Sequence, residues 1–128
     1  MTGRTYSGSY TDITAAEFAT KLKAGELASG GYNITDKALS FDDTFSGKEV
    51  SASGIFVKTS QGVKLDKVEG IRIKELTVEV TGDTEALITT NSIRDVRLLG
   101  WQVSYSGNDS NVELVKTTGT ASAGTKSD

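Results

Sequence analysis

The chain has 128 residues, of which 36% are hydrophobic and 24% charged, with a formal net charge of −3, so it can build one core and one domain. Scattered Lys and Arg argue against a nucleic-acid binder, and no apolar run approaches the roughly 20 residues that span a bilayer. Cysteine and histidine are both absent, which removes disulfides, thiolate chemistry, the commonest general base and the commonest zinc ligand.

The chain opens with "MTGRTYSGSYTD". It has no apolar core of the kind a cleaved leader carries, so synthesis and folding in the cytosol are expected. Rich in Gly, Ser, Thr and Tyr and without periodicity, residues 1–12 read as an arm, flexible or ordered on a partner. Arg4, Tyr6 and Tyr10 are its candidate anchors, because Arg and Tyr are favoured at interfaces and Gly/Ser lets a backbone follow a foreign surface.

The next stretch, "ITAAEFATKLKAGE", carries Thr14 three residues before Glu17, the pattern of a capping box. Ile13 and Phe18 are spaced for a hydrophobic staple. Phe18 and Leu22 share one face, and Gly25 suits a C-cap. A short helix over about residues 15–24 follows, with a narrow apolar stripe that must lie against something.

After "SGG" the sequence turns β-rich. Val63, Leu65, Val68, Ile71, Ile73, Leu76, Val78 and Val80 recur 25 positions later as Ile88, Thr90, Ile93, Val96, Leu98, Trp101, Val103 and Tyr105. All but the Leu65/Thr90 pair are apolar or aromatic in both copies. Each copy breaks into short bursts of two-residue alternation, the mark of strands with one face inward. A looser copy lies upstream: Leu39 and Phe41 precede Val63 and Leu65 by 24 positions, and Ile55 and Val57 precede Val78 and Val80 by 23. A partial fourth copy is expected to begin at Val112 and Leu114. An antiparallel β-sandwich is the alternative, but it gives no reason for recurrence in register. The last stretch, residues 116–128, is small and polar and reads as a flexible tail.

"VEGIRIKELTVEVTGD" and "IRDVRLLGWQVSYSGND" resemble coils of the right-handed parallel β-helix, the pectate-lyase-like fold. The resemblance covers roughly residues 38–115. It implies an all-β domain over residues 13–115, a short right-handed parallel β-helix of about three coils with a period of 24–25 residues and an N-terminal capping helix. That fold serves polysaccharide lyases and hydrolases, and also phage tailspikes and other virion proteins, which often trimerise.

The carboxylates considered for chemistry are Asp42, Asp43, Asp66, Asp83, Glu85 and Asp109. By the resemblance, β-helix enzymes set carboxylates in a groove across several coils. Three coils with short turns leave no room for one, and Asp at corners suits turn geometry. The turns "TGDTE" and "SGNDS" stack Asp83 and Glu85 near Asn108 and Asp109, but the calcium-binding nonapeptide pattern is missing. No catalytic residue, metal or cofactor is therefore assigned. Alternation points Trp101 and Tyr105 inward and Leu99 outward, among Arg94 and Arg97. These three residues, with Arg4, Tyr6 and Tyr10, form the candidate partner-binding set. The expectation is a non-enzymatic virion structural protein, a phage capsid decoration (cement) protein or short spike. It would bind the major capsid protein or another virion protein through its termini, as a homotrimer, with no nucleic-acid or membrane partner. A carbohydrate-binding or polysaccharide-cleaving module is the runner-up.

Overall fold

The computed structural model describes residues 6–121 and 126–127. The fold is mostly β, with parallel sheets and, among the described residues, one α-helix. Its strands are β1 (Tyr10–Ile13), β2 (Gly30–Ile34), β3 (Leu39–Phe41), β4 (Glu49–Ser51), β5 (Ile55–Thr59), β6 (Val63–Asp66), β7 (Arg72–Lys74), β8 (Thr77–Val80), β9 (Ala86–Ile93), β10 (Arg97–Leu99), β11 (Gln102–Tyr105), β12 (Glu113–Ala121) and β13 (Lys126–Ser127). The first sheet runs β1-β2-β5-β8-β11, the second β3-β6-β9-β12 and the third β4-β7-β10-β13. From β2 onward, successive strands enter the three sheets in rotation. Every pairing between described strands is parallel. That excludes the antiparallel sandwich, whose neighbouring strands run in opposite directions.

The 25-residue recurrence is the register of the sheets. Ile73 lies beside Leu98, Val78 beside Val103 and Val63 beside Ile88. Upstream, Leu39 and Phe41 pair with Val63 and Leu65 as their spacing indicates. In the first sheet the upstream offset is smaller than the spacing suggested: Val57 faces Val78 and Thr59 faces Val80. Inward side chains from all three sheets join one buried cluster that includes Val57, Val63, Leu65, Ile73, Val78 and Leu98. Burying each such side chain contributes about 1.5–3 kcal/mol.

Helix α1 (Ala15–Ala24) forms where the capping signals placed it. Glu17 N–H donates to Thr14 Oγ1 at 3.1 Å, and Gly25 closes the C-terminus in the left-handed region with its N–H directed at the Leu22 and Lys21 carbonyls. A second N-terminal donor, the Ala15 N–H, reaches Asp36 Oδ1 at 2.9 Å, so the corner after β2 also holds the helix start. The apolar stripe of Ala15, Phe18 and Leu22 is buried, and Phe18 meets Tyr32 of β2 edge-on at 5.8 Å. The helix thus covers the N-terminal side of the core.

The boundaries of arm and tail move. Tyr10–Ile13 is strand β1, in register with β2, so the sheet begins inside the segment read as an arm. At the other end β12 runs on to Ala121 and Lys126–Ser127 pairs with β10, so the segment read as a tail enters two sheets. Both extensions follow from an exposed sheet edge, where unpaired backbone N–H and C=O groups accept any strand within reach.

Corners repeat as faithfully as strands. Lys67 and Ser92 share a left-handed conformation (φ 55° and 51°), as do Gly70 and Asp95 (72° and 51°) and Glu75 and Gly100 (63° and 67°). The left-handed region costs a residue with a Cβ about 1–2 kcal/mol. Replacing Glu75 by Gly, the residue already present at the equivalent corner, is expected to raise stability by up to about 1 kcal/mol after the entropy cost of Gly. A higher urea midpoint with an unchanged slope would register it; a lower midpoint would show that the Glu75 side chain makes contacts worth more than the strain.

Candidate functional site

Three surfaces collect the side chains with chemistry to offer. On the outer face of the first sheet, register aligns Tyr10, Gly31, Phe56, Thr77 and Gln102 in one row and Asp12, Asn33, Lys58, Glu79 and Ser104 in the next. Gly31 leaves a gap in the first row, and the Tyr6 ring fills it: a Cβ on Gly31 would lie 2.6 Å from Tyr6 Cε2. Tyr6 stacks on Phe56 with ring centres 5.2 Å apart and meets Tyr10 edge-on at 5.3 Å. The Lys58 ammonium sits 4.4 Å from the centre of the Tyr10 ring. Tyr6 and Tyr10, read from the sequence as anchors for a partner, are therefore half-buried against the chain's own sheet. Arg4 lies outside the described residues.

A small groove of about 200 Å³ opens beside this cluster, lined by Tyr6, Tyr10, Thr77, Glu79 and Ser104 together with Val57 and Val78. Glu79 is half-buried and accepts a hydrogen bond from Ser106 Oγ at 2.8 Å. Burial pushes the Tyr10 phenol above its ordinary value, with the Glu79 charge and Tyr6 adding to the shift. Phe56, Lys58 and Glu79 were not singled out in the sequence. Gly31, a residue without a side chain inside a strand, is the signal that could have pointed to them.

The outer face of the third sheet holds the other candidates. Arg97 and Leu99 project from β10 beside Arg72 and Lys74 of β7. Asp95 sits between the two arginines, 3.6 Å from Arg72 Nη2 and 3.7 Å from Arg97 Nε. Arg94 pairs with Glu69 at 3.7 Å, and Lys74 with Glu49 at 2.5 Å. The Lys74 ammonium holds the Glu49 carboxyl below the usual range. Both candidate arginines are thus matched by carboxylates of the same chain, in exposed pairs worth about 0–1 kcal/mol each. Leu99 is half-buried beside Lys74, in the outward position its alternation implied. Arg94, Arg97 and Leu99 share this region, while Tyr6 and Tyr10 lie on a different sheet, so the set is not one site.

The third surface is the corner between the first and second sheets. Asn108 N–H donates to Asp83 Oδ1 at 3.0 Å, which brings together the two turns expected to stack. Glu85 pairs with Lys116, and Asp109 accepts from Asn111 N–H at 3.0 Å. The remaining carboxylates also have local roles. Asp42 caps a single 3-10 turn, Asp43–Phe45, and the Thr44 hydroxyl bonded to it lowers its pKa against the opposing effect of burial. Asp66 accepts from Asn91 Nδ2 at 2.7 Å, one unit along the second sheet. Among the described residues no group of three or more His, Cys, Asp or Glu is placed to hold a metal ion, and no helix is long and apolar enough to cross a membrane.

Apolar exposure concentrates where the sequence assigned a fragment of repeat. Leu114 is 60% exposed and Val115 41%. In β12 it is Val115, not Val112, that lies beside Ile88, while Val112 packs against the edge of the core and Leu114 does not continue it. Trp101 is half-buried, its Nε1–H donating to the Ile73 carbonyl at 3.1 Å. Comparison of the chain with protein-family models, with curated proteins and with solved structures finds no match in any of the three.

Proposed function

We propose that this chain is a non-enzymatic structural protein of a virus particle, a capsid decoration (cement) protein or short spike. In this reading its three sheets are the faces of a right-handed parallel β-helix. The rotation of strands through three in-register parallel sheets is the observation that carries the proposal. Such stacking makes each unit rigid against its neighbours, and the short corners leave the faces, not a cleft, as the working surfaces. The step from this fold to a virion rests on analogy with other proteins built this way.

The body would lie across a joint between neighbouring copies of the major capsid protein. With Tyr6 and Tyr10 folded onto the first sheet, contact falls to the faces more than to the termini. The exposed Leu114 and Val115 and the Leu99 side of the third sheet are the apolar surfaces available for it. An antibody against the chain, applied to density-purified particles from the source culture, tests the reading. The chain should band with intact particles and come off in denaturant but not with nuclease. Recovery from the soluble fraction alone would end the proposal, and an experimental map tracing two opposed antiparallel layers would remove its fold component.

A further inference from the structure

The groove on the first sheet has a definite chemistry. Every polar group lining it can accept a hydrogen bond: the phenols of Tyr6 and Tyr10, the hydroxyls of Thr77 and Ser104, and the Glu79 carboxylate. Glu79 is the only charged residue in the lining. Its register neighbour on β5 is Lys58, and a cross-strand ion pair would be the ordinary outcome at such a position. Lys58 instead places its ammonium over the Tyr10 ring, and among the described residues neither Lys58 nor Glu79 belongs to an ion pair. A half-buried carboxylate therefore faces a groove whose other polar groups are hydroxyls able to accept or donate, and the Ser106 hydroxyl donates to it. Partly desolvated charge in this state gains from a cation more than a fully solvated one does.

We propose that the groove receives one cationic side chain, an arginine or lysine presented by a protein partner. Charge complementarity selects the cation. A guanidinium or ammonium meets the one charge of the lining, the Glu79 carboxylate, its donors can be accepted by the surrounding hydroxyl oxygens, and an aromatic face tolerates it well. The position of Lys58 over Tyr10 is an example within the chain of the same preference. Size selects a side chain: about 200 Å³ is below the roughly 300–1,000 Å³ of pockets that enclose a whole small ligand. A sugar fits less well, because stacking needs an open ring face, while Tyr6 lies against Phe56 and Tyr10 under Lys58. The inference stands apart from the virion reading, since only this chain's own groups define the groove.

The test is an NMR titration that follows the Tyr6 and Tyr10 ring signals while a blocked Gly-Arg-Gly peptide is added. A Gly-citrulline-Gly peptide, of the same shape without the charge, serves as the comparison. The arginine peptide should bind in the millimolar range and the citrulline peptide at least about fivefold more weakly. Glu79→Gln should abolish the difference, and Thr77→Lys, which places a cation in the groove, should block the arginine peptide. Equal binding of the two peptides would overturn the proposal. So would a Thr77→Lys protein, folded by its thermal transition, that still binds arginine as before, or a maltose titration that shifts the tyrosine signals when the arginine peptide does not.

Discussion

Val78→Asp is expected to abolish cooperative unfolding. Val78 is 1% exposed and lies in register between Val57 of β5 and Val103 of β11. A carboxylate there would be enclosed by apolar side chains on adjacent strands, with no cation to meet it. The penalty for an unpaired buried charge is several kcal/mol after relaxation, a large share of the about 5–15 kcal/mol that holds a domain of this size together. Val103→Asp should be milder, because Val103 is half-buried on the last strand of its sheet and water can reach the charge. Thermal circular dichroism separates the cases: a lost transition for Val78→Asp, a lowered but still sharp one for Val103→Asp. A near-normal transition in Val78→Asp would contradict the stacked register.

The second large effect is expected at the helix. Phe18 has no exposed surface, and it joins α1 to Tyr32 and to the core cluster. Phe18→Ala should cost about 3–5 kcal/mol through lost burial and the cavity left behind. A second consequence has a different origin. Loosening α1 uncovers the N-terminal side of the core and the sheet edges beneath it, and such edges recruit other chains. Light scattering should therefore rise with protein concentration in Phe18→Ala at temperatures where the parent stays clear. Lys21→Ala, on the exposed side of the same helix, should show neither effect. If Phe18→Ala melted like Lys21→Ala, the helix would not be acting as a cover.

Much of this architecture was legible because it depends on local alternation and on a constant interval. Both survive in the sequence wherever corners keep their length, as between Val63 and Ile88 or Ile73 and Leu98. The errors fall where a corner changes. From Ser51 to Phe56 the chain advances five positions, while from their partners Lys74 to Thr77 it advances three. That shorter corner reduces the upstream offset of the first sheet. A two-residue alternation cannot detect a slip of two, because the inward set stays inward. At β12 the slip is three, so Val115 takes the register position beside Ile88 expected for Val112, and both Leu114 and Val115 are exposed. The groove was illegible for another reason. It depends on Tyr6 crossing back to a glycine on another strand, a contact with no periodic trace in the chain.

The register pairs also bear on how the chain reaches this state. Partners lie 21 residues apart at the closest, as Phe56 and Thr77 do, and 29 at the widest, as Arg97 and Lys126 do. Parallel pairing is usually slow because distant segments must meet. Here every meeting closes a loop of nearly the same modest size, and the entropy of closure grows only logarithmically with loop length. The difficult event is laying the first unit against α1. After that, each finished unit is a template for the next, and the search does not lengthen as the stack grows.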